Sequence, residues 1–248
     1  MPSHLSFTVR KYHQWLSLII GIQAFLWLAS GVYMVVVDLD FIHGDHLIRN
    51  MQDPLPADAS SLLPFTAMRS RFPQAQHIDL GTWLGAPHYR IDGPSGVRLI
   101  DAATGALRSP LNETDAVATA RYHYRGAGGV IGAVLLEQED ERPMELQGRA
   151  LPVWQIRFDD FGSTTFYISP DQGRLVARRH TFWRIFDFVW MLHIMDYENR
   201  ADVNNNLFRV AASLGLIMSL LGLWLLYYSF RKPRNNTPPR PDSNGVAA

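Results

Sequence analysis

Two stretches decide the fold: HYRIDGPSGVRLIDAATGALR at residues 88–108 and WQIRFDDFGSTTFYISPDQGRLVAR at residues 154–178. Each reads as a strand, a Gly-containing turn, a second strand and a further turn at Gly105 or Gly173, with strand formers bounded by Gly, Pro, Asp and Ser. Two copies of one unit account for this better than one irregular domain. In the first copy, residues 62–72 are helix-like and Pro73 stops them, and strands follow at 75–83, 88–91 and 97–101. In the second, Asn112 is an N-cap for a helix over 113–125 that Gly126, Gly128 and Gly129 end. Its strands are expected at 130–137, 152–158 and 164–169.

Outside this module lie two apolar segments. Residues 12–37 carry no formal charge and exceed the roughly 20 residues that a helix needs to cross a bilayer. Residues 210–230 (VAASLGLIMSLLGLWLLYYSF) are also uncharged, with Trp224, Tyr227 and Tyr228 in the last turns, where amphipathic rings favour the headgroup level. Both are expected to be transmembrane helices. Arg10 and Lys11 precede the first, Arg231, Lys232 and Arg234 follow the second, and Asp38, Asp40, Asp45, Glu198 and Asp202 mark the inner flanks. The positive-inside rule then places both termini in the cytoplasm and residues 38–206 outside. A cleaved signal peptide competes for the first segment, but the apolar run continues through Val35, Val36 and Val37, past the small residues at 29–31, so an uncleaved anchor is expected.

The expected class is α+β, with two transmembrane helices flanking a periplasmic domain of two tandem units. A cytoplasmic N-terminus (1–11) leads to the first span (12–37), a linker (38–61) and the two units (62–110 and 111–180). An amphipathic interfacial helix and linker (181–209), the second span (210–230) and a disordered cytoplasmic tail (231–248) complete the chain. Small residues recur on one face of each span: Ala211, Gly215 and Ser219 on the second, and Ser17, Gly21 and Ala24 on the first. Such stripes let helix backbones approach closely, here each other's or a partner's.

The 248 residues carry 23 Lys+Arg against 23 Asp+Glu, a formal net charge of +0, so no global basic field favours nucleic acid. With Cys 0, disulfides, thiolate metal sites, a cysteine nucleophile and covalent c-type haem are excluded. Any metal or haem must be held by His, Met, Tyr or carboxylates. There is no Gly-x-Ser-x-Gly elbow, His-Glu-x-x-His, P-loop or dinucleotide-binding glycine pattern. The acidic run Glu137, Glu139, Asp140 and Glu141 reads as a solvated loop.

The repeated unit, closing on Ile-Asp-Ala-Ala-Thr-Gly (100–105) or Tyr-Ile-Ser-Pro-Asp-Gln-Gly (167–173), resembles a PepSY domain. Arg-Lys-Tyr-His-Gln-Trp (10–15), Trp-Met-Leu-His (190–193) and Leu-Gly-Leu-Trp (221–224) resemble the helix motifs of PepSY-associated transmembrane proteins. The resemblance implies the bacterial inner membrane and a periplasmic domain. Some such proteins are siderophore or ferric reductases that hold haem b between helix histidines, which implies a membrane redox partner subunit or a homo-oligomer here. Two spans are fewer than those reductases use, so the expected role is an accessory subunit or electron relay rather than an enzyme. Soluble PepSY modules also act as inhibitory propeptides, which gives the alternative of a membrane-tethered inhibitor or chaperone of a periplasmic peptidase.

Four histidines are candidate haem ligands under this resemblance. His13 lies one turn inside the first span, and His193 shares the apolar face of the 182–197 run with Phe182, Ile185, Phe186 and Val189. His43 and His46 leave the first span on the outer side, so His193 with either is the pairing allowed within one chain. Ordinary hydrogen bonding is the competing reading for all four; for His193 an acceptor such as Asp38 or Asp40 at the neighbouring helix end would suffice, as would an iron atom.

Overall fold

The computed structural model describes residues 4–49, 54–55, 59–146 and 148–230. The tail expected at 231–248 and part of the 38–61 linker lie outside them. The fold is α+β with two small antiparallel sheets.

The first sheet runs in the order β1 (His77–Trp83), β2 (Ala86–Gly93), β3 (Gly96–Asp101). One face packs on the short helix α3 (Phe65–Arg71), where Met68, Ala75, Tyr89, Ile91, Ile100 and Ala102 form a core. Because strand side chains alternate between faces, Leu99 points the other way from Ile100 and joins Trp83 in a second core. The helix expected over 62–72 is shorter. Pro64, extended at φ -67 and ψ 152, caps it, and a residue preceding proline is driven out of the α region, so the helix begins only after Pro64.

In the second unit the Asn112 side chain accepts from the Asp115 amide at 2.9 Å and starts α4 (Glu113–His123). This helix packs on a sheet of β4 (Val130–Leu136), β5 (Val153–Phe158), β6 (Thr165–Ile168) and β7 (Leu175–Arg179). Ala116, Ala120, Tyr124, Ile156, Phe158, Phe166 and Ile168 close around Trp83 and Leu99, so the two units share one core. The strand β7 has no counterpart among the expected elements.

The turns that close the two sheets are hydrogen-bonded alike. The Gly105 amide donates to the Asp101 carbonyl at 2.9 Å, and Gly173 donates to Ser169 at 3.0 Å. Asp101 in turn donates to Ala106, and Ser169 to Arg174, both at 2.9 Å. Both glycines are left-handed, at φ 72 and φ 60, a conformation that glycine adopts without steric cost. After the first turn the chain makes a single bridge, Ile100 to Leu107, whereas after the second it continues as β7.

The N-terminal apolar segment forms α1 (His4–Val36), and the C-terminal one forms α6 (Asn206–Phe230). Among the described residues, α6 is by length and composition the one single helix that qualifies to cross a membrane. The expected first span qualifies only when Arg10–Leu18 and Ile20–Val36, bent by 53° to each other, are taken together. The piece Ile20–Val36 rises about 25 Å, short of a hydrocarbon core of roughly 30 Å. The two helices run antiparallel: Phe208 packs on Trp27 with the rings tilted and their centroids 5.7 Å apart, and Gly222 faces His13. The C-terminal end of α1 pairs instead with α5 (Thr181–Ile194), through Tyr33 with Phe186 and the Trp27 indole donating to the His193 carbonyl at 2.8 Å. The expected amphipathic helix thus packs along α1 and does not lie alone.

A polar turn joins α5 to α6. The Asp196 carboxylate accepts from the amides of Glu198, Asn199, Ala201 and Asp202, and these bonds hold its pKa down to about 2. Asn205 donates to the Ile194 and Asp202 carbonyls and accepts from the Phe208 amide, capping α6.

Candidate functional site

The candidate histidines fall into three separate places. His193 is half-buried where α5 meets α1; its Nδ1 lies 2.8 Å from the Ser30 hydroxyl. Its ring sits over Gly31, where an added Cβ would come within 3.9 Å of Cε1. Ser30, not Asp38 or Asp40, therefore meets its polar need. Ser30 lies one turn from the Trp27 contact, so helix packing rather than the acidic helix end sets the partner.

His46 is exposed beside α2 (Leu39–His43), stacked on Phe41 at 4.7 Å and edge-on to His180 at 5.6 Å. His43 is exposed and contributes its carbonyl to Arg178. His13 packs against Gly222 of α6, and its Nδ1 is buried with no hydrogen-bond partner among the described residues.

An iron held by two imidazoles at about 2 Å each draws their nitrogens to about 4 Å. His46 reaches His180, the residue that caps α5, while His193 stands thirteen residues farther along, about 20 Å away. His13 is seventeen residues from Ser30 on α1, at roughly 20–25 Å. One chain therefore brings neither His43 nor His46 to His193, nor His13 to any of them. A haem that pairs His193 with His43 or His46, or His13 with any of these, within one chain does not fit this arrangement.

The small residues expected to pack show a similar division. Ser17, Gly21, Ala24, Ala211 and Gly215 lie on half-buried faces, whereas Ser219 is exposed. A Cβ would meet nothing within 4 Å at Gly21 or Gly215, but would lie 3.3 Å from the His13 ring at Gly222. Gly222 marks the close approach of α1 and α6.

The densest polar arrangement lies elsewhere, where the second sheet meets α5. Arg184 of α5 grips Glu145 with two nitrogens, at 2.6 and 3.1 Å, a bidentate fork. The Tyr167 hydroxyl, from the buried centre of β6, donates to the same carboxylate at 2.6 Å and accepts from Gln155 at 2.9 Å. Burial first, and then the Glu145 carboxylate, push the Tyr167 pKa up. Arg184 also donates to the Ser163 carbonyl and the Thr165 hydroxyl, and the Arg179 guanidinium sits 3.9 Å over the Trp183 ring while its Nε donates to the Glu145 carbonyl.

On the other side of the α5 start, His180 Nε2 donates to the Ile42 carbonyl at 3.0 Å. Its ring packs against Phe41, His46 and Phe182. Burial pushes the His180 pKa down, against smaller upward effects of the α2 carbonyls. Arg178 pairs with Asp45, and the segment after α2 bridges Ile48 to Tyr124 at the end of α4. The Tyr124 hydroxyl donates to Asp160 at 2.7 Å, and burial with that carboxylate raises its pKa to about 12. Besides its hold on α5, the second unit is thus bonded at three places, Ile42, Asp45 and Ile48, to the segment that follows α1.

These groups perform no bond-making that the geometry specifies; they fix α5 on the sheet. The sequence reading missed Glu145 and Tyr167, because their partnership spans 22 residues and joins a single 3-10 turn to a strand. Among the described residues no group of three or more His, Asp and Glu is placed to hold a metal ion. Comparison with protein-family models, with curated proteins and with solved structures finds no match to the chain.

Proposed function

We propose that the chain is a two-span inner-membrane accessory protein that presents a periplasmic PepSY-like domain to a membrane redox or iron (siderophore) reduction system, without catalysing the reaction itself. The observation that carries this reading is the α5 junction. Glu145, Tyr167 and Arg184 tie the second unit to α5, which packs on α1 and is joined by the polar turn to α6, so the outer domain is held in a set orientation to the helix pair. The likeness of the two closing turns supports tandem PepSY-like units. Exposed apolar side chains on the far sides of both helices, among them Ile22, Phe25, Leu28, Leu216, Leu220 and Leu223, suit lipid or a partner's helices.

In this reading an electron path through histidine belongs to the assembly and not to one chain. His13, with its buried Nδ1 lacking a partner, is the residue that a second chain would complete.

Topology is tested directly because the chain has no cysteine. In intact spheroplasts an impermeant maleimide labels Glu139→Cys and spares Arg234→Cys. The reverse pattern, or labelling of both, contradicts the reading. The visible spectrum of the protein purified from native membranes tests the redox part: a Soret band that His13→Ala removes and His193→Ala retains supports an assembly-held haem. A band that His193→Ala alone removes contradicts the assignment to His13.

A further inference from the structure

Between the two units lies a cleft of about 340 Å³ whose wall holds four arginines, Arg49, Arg90, Arg174 and Arg178, together with Trp83 and Thr82, and no carboxylate. Each part of the molecule contributes. Arg90 comes from β2, Arg174 and Arg178 from the β6–β7 turn and β7, and Arg49 from the segment that bridges to α4. Gly173 and Trp83 bring the units together at its floor: a Cβ at Gly173 would lie 3.0 Å from the Trp83 ring.

Like charges gathered in a half-enclosed space repel unless an anion answers them. Two acids pair with arginines of the wall, and a third, exposed Asp92, lines the adjoining pocket with Arg90 and Arg174. Asp45 pairs with Arg178, and Asp79 pairs with Arg174 at 3.4 Å, with the two side chains 45% and 53% exposed. The second pair is weakened by solvent. Arg90 donates to the carbonyls of Gln172 and Thr82, which neutralise none of its charge. Burial first, and then the neighbouring Arg174, lower the Arg90 pKa against the opposing pull of Asp79. The four guanidiniums therefore have ion-pair partners at only Arg174 and Arg178, and the carboxylates around them are partly or fully solvated. Planar guanidinium forks match the paired oxygens of a carboxylate or phosphate.

We infer that this cleft is a binding site for a small, multiply charged oxyanion of the polycarboxylate or phosphate type, held by Arg49 and Arg174 with Arg90 as its floor. The inference goes beyond the membrane reading and does not depend on it.

Titration calorimetry on the full chain in phosphatidylcholine nanodiscs at low ionic strength, with citrate and separately with inorganic pyrophosphate, tests it. The expected result is saturable binding of at least one probe, weakened roughly tenfold in Arg174→Gln and in Arg49→Gln, equivalent to about 1.4 kcal/mol each. Arg98→Gln alters an exposed arginine on β3 outside the cleft and leaves affinity unchanged. Citrate without pyrophosphate assigns a carboxylate ligand, and pyrophosphate without citrate assigns a phosphate. Should Arg174→Gln melt early, Arg49→Gln, whose side chain is exposed, carries the test. No saturable binding at millimolar probe, or equal weakening by Arg98→Gln, overturns the inference.

Discussion

The two sheet units close on matching turns but are held in different ways. The second has charged and buried polar anchors on both sides: Arg184 with Glu145 and Tyr167 toward α5, and His180 with Ile42 toward α2. The first has its own small core under α3 and is joined to the second by the Trp83 indole donating to Thr119 at 3.0 Å, the Arg90 Nε donating to the Gln172 carbonyl at 3.1 Å, and the walls of the arginine cleft. Copies of one hydrogen-bonding scheme can thus serve different purposes. One couples to α5 and the segment after α1, and the other is docked beside it and shares a ligand-sized space.

The largest test of that contrast removes the coupling carboxylate. Glu145→Ala leaves the Arg184 guanidinium and the buried Tyr167 hydroxyl without their shared acceptor, and is expected to cost about 3 kcal/mol in chemical denaturation. The first unit's ion pair is exposed on one side, with Arg108 48% accessible beside Asp101. Arg108→Ala is expected to cost about 0.5 kcal/mol. Equal losses from the two substitutions would erase the distinction.

The closing glycines sharpen it. Alanine at Gly173 must adopt φ 60 and would bring its Cβ to 2.9 Å from Leu99 and 3.0 Å from Trp83, both in the shared core. At Gly105 the near atoms are the ends of half-buried Leu63 and of Arg71, which can turn aside. Gly173→Ala is expected to destabilise by about 2–3 kcal/mol and Gly105→Ala by about 1 kcal/mol, measured as shifts of the unfolding midpoint. A larger cost at Gly105 would place the tighter packing in the first unit.

The smallest expected effect is in pH dependence. Each unit has one buried histidine whose pKa is lowered chiefly by burial, His88 in the first and His180 in the second. The unfolded chain then binds protons more readily than the folded one below about pH 6.5. Stability from these groups is complete above that pH and declines as pH falls through it. In His180→Gln, whose amide can still reach the Ile42 carbonyl, the decline between pH 7 and pH 5 is expected to be shallower; an unchanged slope would show that His180 does not titrate on unfolding.

Much of this was legible in the sequence where the signal is local. The strand–turn–strand pattern before Gly105 and Gly173, the Asn112 cap and the apolar runs of α1 and α6 all follow from neighbouring residues. What was not legible depends on distant partners. The run Leu175–Arg179 lacks an alternating apolar pattern and becomes β7 only by pairing with β6. Ser30 meets His193 across 163 residues. Glu145 sits in a loop whose sequence signals nothing until Tyr167 and Arg184 converge on it. The arginine cleft draws its side chains from segments more than 120 residues apart in the chain, a spacing that no window of sequence contains.

Native-state hydrogen exchange on the wild type and Glu145→Ala, both in nanodiscs, tests the coupling claim most directly. The account predicts that the substitution speeds exchange in β6 and α5 at least roughly tenfold more than in β1–β3, since local opening tracks the free energy lost in that segment. Equal acceleration in both sheets, or acceleration confined to β1–β3, would contradict it.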